Sequence, residues 1–240
     1  MKTLIVLLLL AGEIWAKSAA FQNLGFDEAN TNGVPPNNGG PTTQLLPGWK
    51  LFNVFGETTS IGYNASIIGL NQVVLYDRNF LNFGAPVPLE GKYALGLWPG
   101  EGFMQDQALY HLSQIGEVPS DARTIHFINF ASPFDLVVNG QEVPLIYDYP
   151  PNYPAPNFNR HIPVPAVGDV SAFAGQTVEL EFITSLAPLG PGDPLHGIDS
   201  IFFSPELIPE PSTWALLAVG GTCLLFRWRF LRCRVRVRRE

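Results

Sequence analysis

The residues of this chain best suited to recognition chemistry lie close together, in the segment 147–160, which reads YDYPPNYPAPNFNR. Tyr147, Tyr149, Tyr153 and Phe158 stand there among prolines and asparagines, residues that set turns and extended loops, and the segment ends on Arg160. Sugar rings stack on exposed aromatic faces while their hydroxyls bond to polar and charged groups, so Tyr147, Tyr149, Tyr153 and Arg160 make a candidate carbohydrate-binding loop. The competing reading is that these rings cover one end of the core, as loop aromatics commonly do.

Catalytic chemistry has no comparable grouping. The sequence holds no HExxH, no G-x-S-x-G and no P-loop. His111, His126, His161 and His196 fall in separate segments, none at metal-ligand spacing, and each reads as a half-buried or turn residue. Both cysteines, Cys223 and Cys233, lie near the carboxyl end, so residues 21–207 offer no thiol nucleophile, disulfide or sulfur-ligated metal site. Carboxylates are plentiful enough for a glycosidase pair, which only geometry can identify. No enzyme is expected.

The elements that must position such a loop read as strands. TVELEFITS alternates, with Val178, Leu180 and Phe182 on one face and Glu179 and Glu181 on the other, so one side is buried and one wet. In FDLVVNGQEVPLI two apolar runs flank Asn139 and Gly140, a pair that accepts positive φ at both positions of a hairpin turn. KLFNVF, QVVLYD, KYALGLW, RTIHFINF and GIDSIFFS are further candidates. Gly (23) and Pro (22) supply turns between them, and no body segment shows a sustained helical period. An all-β domain, an antiparallel β-sandwich over residues 21–207, is expected, with Trp49 and Trp98 in its core.

Charge divides the chain sharply. Residues 21–207 hold five cations, Lys50, Arg78, Lys92, Arg123 and Arg160, against eighteen carboxylates, a balance near −13. Arg227, Arg229, Arg232, Arg234, Arg236, Arg238 and Arg239 carry half of the chain's 14 Lys and Arg. A body this acidic repels a phosphate backbone, so no nucleic-acid partner is expected and the basic tail needs another reason.

Membrane topology supplies one. Residues 1–20 combine Lys2, an apolar run from Leu4 to Ala11 and small residues at 16 and 18–20, the pattern of a cleaved secretory signal. Eight apolar residues are too few to cross a hydrocarbon core of about 30 Å. Near the other end, residues 214–226 are uncharged, and an extension to 231 makes an eighteen-residue transmembrane helix if Arg227 and Arg229 snorkel toward the headgroups. Trp214 then sits at the outer interface, Ser212 and Thr213 can cap the helix, and the arginines stay on the cytoplasmic side.

Pro209, Glu210, Pro211 and Ser212, followed by a Trp-led apolar helix with Gly220 and Gly221 and a terminal arginine cluster, resemble a PEP-CTERM sorting signal over residues 208–240. The resemblance implies a Gram-negative bacterium in which an exosortase, the expected partner, recognises the signal and removes the helix and tail. The body would then be released or attached at the envelope or in exopolysaccharide.

A second resemblance covers most of residues 21–204. FQNLGFDEAN, LLPGWKLF, DVSAFAGQTVELEF and GIDSIFFS are similar in order to the galactose-binding-like jelly roll of carbohydrate-binding modules. In that pattern, acids after the first Phe and before the last strand join backbone carbonyls around a structural calcium. The positions it points to here are Asp27, with Glu28 beside it, and Asp199, while Ser200 stands where a further acid is frequent.

Overall fold

The computed structural model describes residues 19–65, 72–77, 79–82, 85, 86, 90–98, 110–150, 162–184 and 195–208. The chain divides into two compact units, Met1–Glu206 and Leu207–Glu240. The first unit is all-β. Its strands begin with β1 (Asn38–Pro41), β2 (Lys50–Asn53), β3 (Gly56–Glu57), β4 (Ser60–Tyr63), β5 (Gln72–Asp77), β6 (Leu81–Asn82), β7 (Ala85–Pro86) and β8 (Tyr93–Trp98). They continue with β9 (His111–Glu117), β10 (Thr124–Ala131), β11 (Phe134–Val138), β12 (Gln141–Val143), β13 (Leu145–Tyr147), β14 (Val164–Asp169), β15 (Thr177–Thr184) and β16 (His196–Ser204). The helical content described is one turn, α1 (Thr42–Leu45), and a 3-10 turn at Ser171–Phe173.

Eight strands form one sheet in the order β1-β4-β5-β8-β16-β10-β14-β13, and six form a second, β12-β11-β15-β9-β2-β3. Their inner faces share one core: Leu75, Leu95, Ile125, Phe127 and Ile198 from the first sheet, and Leu51, Leu112, Leu136, Leu180 and Phe182 from the second. Apolar residues at every second position bring this about, because a strand sends alternate side chains to opposite faces. β15 shows it cleanly, with Val178, Leu180 and Phe182 buried and Glu179 exposed. The expected turn closes the β11–β12 hairpin, with Asn139 at φ 50° and Gly140 at φ 75°. Trp49 and Trp98 are both buried.

Three departures from expectation have physical causes. The pairing is not wholly antiparallel, since β4 runs parallel to β5 through Gly62↔Val74 and Tyr63↔Leu75. KLFNVF does not continue as one strand. Asn53 Oδ1 accepts the Phe55 N–H at 2.9 Å, which turns the chain at Val54 and Phe55 and returns it as β3. The eight-stranded sheet also buries its outer face in part, where Val74, Tyr76, Ala94, Trp98 and Phe130 form a second cluster with Phe80 and Leu195. β5 and β8 are therefore apolar on both faces, as their unbroken runs VVLY and ALGLW require.

Candidate functional site

Asp27 and Asp199 come together on one turn. Phe26, fully buried against Trp49 at a ring distance of 5.9 Å, fixes the backbone at φ 57° and leaves Asp27 next to it on the surface. Trp49 Nε1 donates to the Asn23 carbonyl at 3.0 Å, and the Phe26 N–H donates to the same carbonyl at 3.1 Å. Asp199 lies on β16 at a β-bulge, where the register against β10 shifts between His126 and Ile128 and Ser200 takes φ 52°. Bulges re-aim the side chains beside them.

Both carboxylates grip residues 90–93. Asp199 Oδ2 accepts the Glu90 N–H at 2.7 Å, and its Oδ1 accepts the Ser200 N–H at 2.6 Å. Asp27 Oδ1 accepts the N–H groups of Lys92 at 2.5 Å and Tyr93 at 3.3 Å. Gly91 between them has φ 67°, and a Cβ there would stand 2.2 Å from Asp27 Oδ2, so glycine is required by conformation and by space. Asp199 is 0% exposed. Burial pushes its carboxyl up to about 7 against the opposing pull of the Glu90 and Ser200 N–H groups, and the charges of Asp27 and Glu90 add to the rise.

A buried carboxylate that feels the charge of two other acids favours a proton or a hard cation, and its oxygen donors are the type calcium takes. Glu28 is exposed next to Asp27, and its backbone N–H donates to Asn23 Oδ1 at 2.9 Å. Among the described residues no three His, Cys, Asp or Glu side chains stand together as a metal cluster. A calcium here would draw on Asp27 and Asp199, whose oxygens now accept the N–H groups of residues 90, 92, 93 and 200. The role of residues 90–93 was not visible in the sequence, where EGKY carries no motif; the glycine between two charges was its only trace.

The tyrosines divide into two roles. Tyr147 is half-buried at the end of β13, where its hydroxyl accepts the Phe134 N–H at 2.9 Å and donates to the Phe134 carbonyl at 2.8 Å. Burial pushes this phenol up, and the ring is held as a lock between β13 and β11. Tyr149 stacks on it at 5.8 Å and is 40% exposed, so it presents a ring to solvent. Tyr153 and Arg160 lie outside the described residues, as do Pro209, Glu210, Pro211, Ser212 and the seven arginines of the tail.

This difference gives an expected result. Tyr147→Phe leaves both polar groups of Phe134 without the hydroxyl and costs roughly 1–3 kcal/mol of stability, while Tyr149→Ala changes it by about 0.5 kcal/mol or less. Urea midpoints of the two variants check it, and equal losses would mean that Tyr147 is no lock.

The described histidines stay apart. His111 Nδ1 meets Glu181 Oε1 at 2.5 Å, His126 Nε2 meets Thr124 Oγ1 at 2.8 Å, and His196 Nδ1 bonds the Pro133 carbonyl at 2.8 Å. Each is engaged by a different partner. Among the described residues no helix is long and apolar enough to cross a membrane.

No protein-family model matches the chain. No curated protein matches it either. The functional reading therefore rests on the residues themselves.

Proposed function

We propose that this chain is an exported bacterial surface or exopolysaccharide-matrix protein, sorted through residues 208–240 by an exosortase, whose body is a galactose-binding-like jelly roll that holds carbohydrate. The observation that carries the proposal is the order of parts at the carboxyl end: the Pro-Glu-Pro triplet, an apolar segment and an arginine cluster. The triplet begins three residues after Glu206, whose carbonyl accepts Thr124 Oγ1 at 2.9 Å. Prolines lack a donor and bias the preceding residue toward extended backbone, so they present a strand that a membrane protease can read. The arginines stop transfer on the inner side.

Within the body, the Tyr149 ring, stacked on a locked Tyr147, supports the carbohydrate reading. Asp27 and Asp199 are assigned to a structural calcium, which would neutralise their charge and fasten residues 90–93 to β16.

Sorting makes a testable pattern. Glu210→Ala or Pro211→Ala should leave the protein inserted but uncut. Neutralising Arg227 to Arg239 should damage anchoring first, since each charge near an anionic leaflet contributes roughly 1 kcal/mol. Mass spectrometry of the mature protein from strains with and without the exosortase decides the matter. A peptide reaching Arg227 or beyond at equal abundance in both strains would reject the sorting reading.

A further inference from the structure

A cleft of about 340 Å³ with a mixed polar and apolar lining lies where the β1–β4–β5 side of the eight-stranded sheet meets the β2–β3 edge of the six-stranded one. That volume is at the lower end of the range for small-ligand sites, roughly 300–1,000 Å³. The cleft is distant in sequence from the tyrosine loop, and its floor is built from backbone. Gly39 on β1 and Gly62 on β4 are direct partners across the ladder, so a patch of sheet carries no side chain. A Cβ would stand 3.1 Å from Ser60 Oγ at the first and 3.1 Å from Val74 Cγ2 at the second. Paired glycines inside strands mark a place where something approaches the backbone closely, and here the Ser60 and Val74 side chains do so at the edge of the cleft.

Polar side chains surround that floor: Asn37, Asn38, Asn53, Thr58, Gln72 and Tyr110. Among the described residues none that lines the cleft is charged, although the body as a whole is strongly acidic. The described lining thus offers an ionic ligand of either sign no counter-charge.

Two of the lining groups are unused. The Thr58 backbone is fully engaged, its N–H on the Leu51 carbonyl and its carbonyl on Thr42 Oγ1 at 2.7 Å, yet Thr58 Oγ1 is buried with no partner. Gln72 Oε1 on β5 is likewise buried and unpartnered. Buried polar atoms are normally satisfied, and two such exceptions lining one cleft call for a ligand that brings donors with it. A hydroxyl both donates and accepts, so a ring bearing several can serve an amide oxygen, an amide N–H and a threonine hydroxyl together.

Strand addition by a peptide is a poorer fit. It would use the free backbone of the β1 edge, whose ends are a positive-φ asparagine, Asn37, and a proline, Pro41. The unused groups here are side chains.

We infer that this cleft is a binding subsite for an uncharged sugar residue, with Thr58 and Gln72 as its recognition groups; the inference rests on the carbohydrate-binding reading of the body. It is tested on the full-length protein in detergent with an array of neutral gluco-, manno-, galacto- and xylo-oligosaccharides beside uronate-bearing ones. Calorimetry with the strongest neutral binder follows on wild type, Thr58→Val, Gln72→Met and Tyr149→Ala, with Tm measured for each.

The expected result is neutral-sugar binding weakened about tenfold or more by Thr58→Val and by Gln72→Met. Tm should stay level or rise, because each change removes a buried orphan group. Sugar binding untouched by both changes but lost in Tyr149→Ala overturns the cleft and leaves the carbohydrate reading standing. Binding of uronate-bearing sugars alone overturns the cleft as well. Absence of sugar binding in the wild type overturns both readings. A fall in Tm in both cleft variants would show that the two groups serve the fold, and would also overturn the inference.

Discussion

In calcium-free buffer the protein is expected to lose stability as the pH rises from about 4 to about 7, and to level off above that. The cause is Asp199. In the folded chain its carboxyl holds a proton up to about 7, whereas an unfolded Asp releases it near 3.8. Across that window the folded state binds more protons than the unfolded, so raising the pH favours unfolding, by roughly 4 kcal/mol in all.

Other groups act with the opposite sign. Asp77 and Asp169 titrate below the usual carboxylate range, Asp77 through hydrogen bonds from Tyr63 and Asn64 that outweigh its burial, and Asp169 through hydrogen bonds from Ser171. The stability they contribute is present above about 4 and lost as the pH falls further. His126, held low by burial, loses stability as the pH falls through its unfolded value near 6.5. The readout is therefore the difference between the wild-type and Asp199→Asn profiles of denaturant midpoint against pH.

Calcium should flatten that difference. A cation between Asp27 and Asp199 takes the proton's place, and at a concentration a hundredfold above its Kd it stabilises the native state by about 2.7 kcal/mol. No shift in Tm between calcium and chelator would remove the ion and leave the two acids as a backbone grip alone. A difference between the wild-type and Asp199→Asn profiles that does not change with pH would mean that Asp199 is ionised throughout.

The second large effect is expected in the core. Phe182→Ala should cost about 3–5 kcal/mol, read as a lowered urea midpoint with an unchanged slope. Phe182 is fully buried on β15 and meets Phe127 of the opposite sheet edge-on at 5.2 Å and 78°. Phe134 lies at 6.2 Å and Trp49 at 6.3 Å, so truncation opens a cavity between two sheets that cannot close over it without moving both. Phe55, 79% exposed at the β2–β3 turn, is the control: Phe55→Ala should change stability by about 0.5 kcal/mol or less. Comparable losses from both would deny the inter-sheet role.

What the sequence made legible was whatever depends on neighbours along the chain. β15 and the Asn139–Gly140 hairpin follow from alternation and local turn chemistry. β9 escaped notice because HLSQIGE sends Leu112 inward but also buries Ser113 and Gln114, the latter bonded to Gln22, so its alternation is masked. β14 was hidden by Pro165 and Gly168, which pattern reading takes as turn residues. The parallel β4–β5 pair and the convergence of Asp27 and Asp199 on residues 90–93 depend on partners far away in the chain, which no local pattern encodes. Thr58 and Gln72 became noticeable only once their lack of partners was visible.

The place of β16 has a consequence for how the chain is made. Among the described residues it is the last strand in sequence, yet it lies in the middle of the eight-stranded sheet, between β8 and β10. A nascent chain ending at Thr184 can form the β5–β8 and β10–β14 ladders, but has nothing to join them and no Asp199 to hold residues 90–93. Folding of that sheet must wait for residues 196–204, against a large loop-closure entropy. Until they appear the six-stranded sheet can be complete while the larger one stays in two halves, β1-β4-β5-β8 and β10-β14-β13.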